Sequence, residues 1–128
     1  MVPMAVVQPV ELESDIADAR TLFEEYAGAL GIDLCFQDFA AELAGLPGQY
    51  ARPDGILYVA RSEDITVGCV AVRKFAEGIC EMKRLYVAPV ARGQGVGKQL
   101  AQSAISFAKS ADYERMRLDT LETMTEAQ

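Results

Sequence analysis

The sequence predicts one α/β domain of the α+β kind, built on a mixed β-sheet, and three observations carry that prediction. Its 128 residues alternate between helix-period and strand-period apolar patterns, and they are too few for two cores. Three strand-like segments follow one another through short turns, which calls for antiparallel neighbours. A last strand-like segment then returns only after a helix-length stretch, and a crossover of that length makes the two strands it joins parallel.

Taken in order, residues 5–10 make a short first strand. Ser14 and Asp15 offer a helix start, and Ile16, Ala19, Leu22, Phe23, Tyr26 and Leu30 follow at helical spacing until Gly31 stops the run. A second helix carries Phe36, Phe39, Ala40, Leu43 and Leu46, and Pro47-Gly48 closes it. Strands at 56–60 and 65–72 flank a turn at Ser62-Glu63-Asp64 and form a hairpin, and Glu77-Gly78 turns the chain into a third strand, 79–87. Helix 97–111 places Leu100, Ala104, Phe107, Ala108 and Ala111 on one side, and the last strand is 116–119. No repeat, linker or low-complexity segment interrupts this order, so the whole of 1–128 reads as one domain.

Composition narrows the function classes. Half of the residues are apolar, no apolar run reaches the length of a membrane span, and the N-terminus lacks the basic start and apolar core of a leader. Twelve basic residues against nineteen acidic ones give a net charge of −7, which argues against nucleic acid as a main partner. Cys35, Cys69 and Cys80 are scattered and form no metal-spaced pair, as expected of reduced core thiols in a cytoplasm. The chain has no histidine, which removes Ser-His and Cys-His catalysis and argues against a zinc site; no metal is expected.

The chemistry concentrates in Leu85 to Lys98, where a strand end, a glycine-rich loop and the first turn of a helix follow in succession. Gly93, Gly95 and Gly97 leave three backbone positions without a Cβ, so a ligand can reach main-chain N–H groups directly. The helix from Lys98 adds unpaired donors and the positive end of its dipole, and Arg92 and Lys98 add charge. This is a cradle for a phosphate or pyrophosphate. The dinucleotide fingerprint requires Gly-x-Gly-x-x-Gly, whereas the spacing here is Gly-x-Gly-x-Gly. A Walker loop would need glycine where Arg92 stands and Ser or Thr where Gln99 stands.

What fits is Arg92-Gly93-Gln94-Gly95-Val96-Gly97 after Leu85-Tyr86-Val87-Ala88-Pro89. This passage resembles motif A of the GNAT superfamily, the acyl-CoA N-acyltransferases, and the element order resembles the first part of that fold over residues 5–128. The resemblance implies a transferase that moves an acetyl group from acetyl-CoA, as cosubstrate, to a primary amine of a small molecule or peptide. It implies that the backbone of Leu85, Tyr86 and Val87 holds the pantetheine arm, where the strand splays from its parallel neighbour and lies open like a strand awaiting a partner. Residues Arg92, Gly93, Gln94, Gly95, Val96, Gly97 and Lys98 would hold the pyrophosphate.

Acetyl transfer also needs a base for the amine, an oxyanion site and a proton for the departing thiolate. Some family members place a catalytic carboxylate where this chain has Glu81, which makes it the candidate base; the bland alternative is a carboxylate paired with Lys83 or with a charge on a neighbouring strand. Strand alternation places Glu81, Lys83, Leu85 and Val87 on one face and Met82, Arg84 and Tyr86 on the other. Asp119 is a second choice for the base, with a helix cap as its alternative. Tyr86 lies at the opening, with packing as the larger expectation. Many members take the acid from a tyrosine in a later helix, and Tyr113 does not match that position. The family fold usually continues with that helix and two further strands, so the resemblance describes a C-terminally short GNAT-like fold with strand 116–119 as an exposed edge. Such edges recruit partners, and a homodimer through it is expected. Two function classes stand: the acetyltransferase, and a module that binds CoA without turnover.

Overall fold

The computed structural model describes residues 3–30 and 37–118. Within these, five strands and three α-helices follow in the order β1 (Val6–Pro9), α1 (Glu13–Leu30), α2 (Gln37–Ala44), β2 (Ile56–Ser62), β3 (Ile65–Ala76), β4 (Ile79–Val87), α3 (Val96–Ser110) and β5 (Arg115–Leu118). The strands form one sheet in sequential order, antiparallel from β1 to β4 and parallel between β4 and β5. The mixed sheet, the β2–β3 hairpin and the parallel return after α3 all agree with the sequence expectation. Gly31, Cys35, Phe36, Asp119 and the segment beyond it lie outside the described residues.

The sheet is covered on both faces. On one face α3 presents Val96, Leu100, Ala104 and Phe107 to Val67, Val70, Val72, Cys80 and Met82. On the other, Leu22, Phe23 and Tyr26 of α1 and Phe39 of α2 pack with Tyr50, Leu57, Val59, Cys69, Ala71 and Tyr86. Phe23 meets Tyr50 edge-on, with ring centroids 6.1 Å apart at 80°, a favoured arrangement for buried aromatic pairs. Strand periodicity therefore sends alternate residues of the central strands to two different cores, and helical spacing gives each helix the single stripe that closes one of them.

The helix ends depart from the sequence reading in instructive ways. Asp15 does not start α1 as its cap. It stands inside the first turn and reaches back, accepting from the N–H groups of Glu11 and Leu12 at 3.0 Å each, the acidic half of a capping box. Those two backbone bonds, helped by Arg61, hold the Asp15 carboxyl below its ordinary range. Arg61 also ties α1 to β2 by contacting both Asp15 and Asp18 at 2.8 Å. Helix α3 begins at Val96, one residue before the expected 97, because Gly95 takes the left-handed conformation that turns the chain into the helix. At its far end Asp112, at φ 66°, takes the place more often held by glycine, and the Tyr113 N–H closes the turn on Ala108 O at 3.0 Å.

Candidate active site

Strand β4 ends at Val87, a one-turn 3-10 helix covers Pro89–Ala91, and the loop Arg92–Gly95 leads into α3. Gly93 and Gly95 stand at φ 80° and 82°, and a Cβ on either would meet nothing within 4 Å. Their requirement is thus conformational, with the space above them open. Gly97 differs: it is helical, and a Cβ there would rest 3.6 Å from the Val87 side chain. Gln99 is the first residue of α3 whose N–H reaches a carbonyl, that of Gly95 at 3.1 Å; among the described residues, no backbone partner takes the N–H groups of 93–98. Six donors without backbone partners thus stand in succession at the positive end of a four-turn helix.

The charges around this loop divide. Lys98 is exposed and has no acidic partner among the described residues. Arg92 folds back: its Nε donates to Val87 O at 3.0 Å and its guanidinium lies 5.7 Å from the centre of the Tyr86 ring. It therefore caps the strand end instead of standing at the loop mouth. Gln94 is held over the 3-10 turn, its Nε2 donating to Val90 O at 3.2 Å. Val96 points into the α3 core.

Along β4 the register with β5 runs from Ile79–Arg115 to Met82–Leu118 and goes no further among the described residues, so Leu85, Tyr86 and Val87 lie beyond it. On the other side, Val87 and Tyr86 pair with Gly68 and Cys69 of β3, and the next partners are Lys83 and Ala71. Two residues of β4, Arg84 and Leu85, thus stand opposite Val70 alone. This is a β-bulge, and Arg84 holds it at φ 60°.

The bulge overturns the expected faces. Simple alternation puts Glu81 and Lys83 with Leu85 and Val87. One extra residue in the strand reverses the sense, so Cys80, Met82, Leu85 and Val87 all pack toward α3. Glu81 instead shares the α1–α2 face with Tyr86, whose ring meets Tyr26 edge-on and whose hydroxyl donates to Glu25 at 3.3 Å. Glu81 lies in the paired part of the sheet, 5% exposed, between Arg73 of β3 and Arg117 of β5. Arg73 grips one of its oxygens, Oε1, through Nε at 2.8 Å and Nη2 at 2.7 Å; Oε2 has no hydrogen bond among the described residues. Pairing with a neighbouring strand's charge is thus what the structure shows, with one carboxylate oxygen left over. The alternative base, Asp119, falls outside the described residues; Tyr113 donates to Asp54 O at 2.7 Å and is remote from the loop.

Sequence reasoning missed Arg84 and Glu42. They form a two-pronged ion pair, Nε to Oε2 and Nη2 to Oε1 at 2.8 Å each, directly at the bulge. No local signal announces it, since an arginine inside a strand reads as a solvent-facing residue and α2 lies 42 positions away.

The strand end and glycine loop lie within a stretch that matches a known family. The family model for the acetyltransferase (GNAT) family matches residues 17–128. The chain belongs to that family. An uncharacterised N-acetyltransferase of Schizosaccharomyces pombe is 43% identical over 123 residues, covering 94% of this chain and 76% of its own. Among solved structures, a GNAT-family acetyltransferase of Staphylococcus aureus superposes with a TM-score of 0.81 at 16% identity, over 98% of this chain and 78% of that one. An aminoglycoside N-acetyltransferase in complex with CoA superposes at 0.69, with 16% identity, 98% of this chain and 82% of that one. GNAT proteins are acyltransferases, and this chain carries their fold in the part that presents the glycine loop. Among the described residues no group of three or more His, Cys, Asp or Glu side chains is placed to hold a metal ion, and no helix is long and apolar enough to cross a membrane.

Proposed function

We propose that residues 1–128 act as one N-acetyltransferase domain that takes an acetyl group from acetyl-CoA and passes it to a primary amine of a small molecule or peptide. One observation carries this reading: a row of N–H groups at 93–98, at a helix N-terminus and without backbone partners among the described residues, follows a strand end, Leu85 to Val87, that has no register partner on β5 among those residues. The pyrophosphate would lie on residues 93–98 with Lys98 beside it. The pantetheine arm would run along Leu85 to Val87 as an added strand, which requires the Arg92 side chain to release Val87 O. The chemistry that acetyl-CoA supplies when bound is an activated acyl group on a thiolate that leaves readily.

The chain's own groups supply the rest. An N–H at the bulge would polarise the thioester carbonyl as charge builds on its oxygen. Glu81 would take the ammonium proton of the acceptor through Oε2, directly or across one water, while Arg73 fixes the carboxylate by Oε1. The acceptor would approach from the α1–α2 face, on which Glu81 and Tyr86 lie. The reading keeps a cytoplasmic location and a homodimer through the β5 edge as part of the proposal. A second reading, a module that binds CoA without turnover, is favoured by the engagement of Glu81 with Arg73.

Calorimetric titration with acetyl-CoA and with CoA tests the cradle. Micromolar binding is expected, and Gly95→Asp should abolish it, because the substitution adds a strained backbone and a negative charge where the pyrophosphate would rest. Wild-type protein that binds neither compound refutes the proposal. Thiol release from acetyl-CoA in the presence of amino acids, polyamines and peptides then separates the two readings: turnover lost in Glu81→Gln with binding retained supports the enzyme, and binding with no turnover on any amine leaves the module.

A further inference from the structure

We propose that Arg84 and Glu42 are positioning residues for the thioester end of the site. Their ion pair holds the β4 bulge in the backbone conformation that sets the direction of the Leu85 main chain, and it fastens that conformation to α2. The proposal rests on the acetyl-CoA reading above.

Arg84 occupies the left-handed region at φ 60°, which a residue other than Gly, Asn or Asp adopts only when its surroundings hold it there. Three separate contacts do so. Both guanidinium prongs meet both oxygens of Glu42 at 2.8 Å. The guanidinium plane packs between two rings, 5.7 Å from the centre of Tyr26 and 5.3 Å from that of Phe39. The Arg84 carbonyl accepts from the Cys69 thiol at 3.3 Å, which fixes the peptide leading into Leu85. The pair is well covered, with the two side chains 12% and 10% exposed.

A covered ion pair is a poor way to gain stability, because desolvation offsets most of the attraction and apolar side chains of similar size do as well. What it does supply is direction. A two-pronged arginine–carboxylate contact fixes the guanidinium plane and thereby the residue that carries it. Here that residue is the first of the two that share one partner in β3. The second, Leu85, has no register partner on β3, nor on β5 among the described residues. The contact therefore sits within the two-residue stretch of β4, Arg84 and Leu85, that has no one-to-one register partner among the described residues. It also comes from α2, on the face from which the acceptor would approach.

The test uses acetyl-CoA labelled with carbon-13 at the acetyl carbonyl, bound to the full chain, with CoA affinity measured in parallel by calorimetry. Wild-type protein should shift the bound carbonyl resonance away from that of free acetyl-CoA, the mark of a hydrogen bond to its oxygen. Arg84→Lys, which keeps the charge but loses the fork, and Glu42→Gln should both move the resonance back by more than half of that difference while CoA binding stays at the wild-type level. Arg84→Gly permits the same φ without the side chain and should also lose the shift. A purely structural role would leave the resonance of folded variants unmoved. Should the single variants fail to fold, the double apolar variant Arg84→Met with Glu42→Met carries the same readout. Variants that retain the wild-type resonance, or a wild-type resonance equal to that of free acetyl-CoA with CoA bound, overturn the proposal. Absence of CoA binding by the wild type overturns the reading beneath it instead, and the proposal with it.

Discussion

The two halves of the site are held in opposite ways. The glycine loop, Arg92 to Gly95, is largely exposed, the N–H groups of 93–95 have no backbone partner among the described residues, and its shape depends on residues that tolerate positive φ with nothing packed against them. The bulge at Arg84 and Leu85 lies under two helices, and its shape depends on a side chain whose contacts come from Tyr26, Phe39 and Glu42. Conformation sets the first and packing sets the second. The loop should therefore fail in binding when altered, with modest effects on folding. The bulge should fail in folding and geometry, with little effect on the pyrophosphate cradle.

The largest expected effect follows from Glu42→Ala. It leaves the Arg84 charge covered and without its carboxylate, which typically costs about 3–5 kcal/mol. Urea unfolding of this variant beside the wild type measures it, and a loss below about 1 kcal/mol, the range of a solvated surface pair, would erase the contrast between the two regions. Next come the loop glycines. Gly93→Ala forces a Cβ onto φ 80° and should destabilise by about 1–2 kcal/mol, with CoA affinity falling out of proportion to that loss. Gly97→Ala is the control within the same motif. Its site is helical with room for a methyl group, so stability should rise by about 0.5–1 kcal/mol. Equal behaviour of the two variants in unfolding would show that the loop is not set by backbone conformation.

The same contrast explains what could be read from the sequence. Arg92 to Lys98 was legible because glycine spacing is a local property, and the crossover from β4 to β5 followed from segment length alone. The faces of β4 were not legible. Alternation from Glu81 to Val87 holds only in a regular strand, and the bulge that breaks it is stabilised by Glu42 and Phe39 from a distant helix, not by a glycine within the strand. Glu81 is the buried carboxylate of β4. Its partner Arg73 is a cross-strand neighbour, set by a hairpin register that the turn at Glu77-Gly78 leaves open to a shift. The expected helix 97–111 starts one residue later than α3 for a simpler reason: glycine spacing marks Gly95 as a site of close approach, whereas its first task is to turn the chain.

A small effect is also expected at Tyr50, which lies behind the bulge near Glu42 and Arg84. Its hydroxyl is buried, with Glu42 and Gln49 near it but no partner at hydrogen-bond geometry among the described residues, and the residue is 1% exposed. Tyr50→Phe removes a desolvated group without a well-formed hydrogen bond among the described residues, so the protein should gain about 1 kcal/mol. The pH dependence gives an independent reading. Burial, and after it the negative charge of Glu42, pushes the Tyr50 hydroxyl well above its ordinary range. The folded chain then keeps a proton that the unfolded chain begins to lose near pH 10. Stability from this source is complete below that pH and falls as pH rises toward the folded value, the reverse of Asp15, whose contribution is lost as pH falls below the ordinary carboxylate range. Thermal unfolding should therefore show a shallower alkaline decline in Tyr50→Phe than in the wild type, with the acid limb unchanged. Burial also raises Tyr58, Tyr86 and Tyr113, so a decline persists in the variant. Identical alkaline limbs would mean that water reaches the Tyr50 hydroxyl, and the packing behind the bulge would then be looser than its ion pair requires.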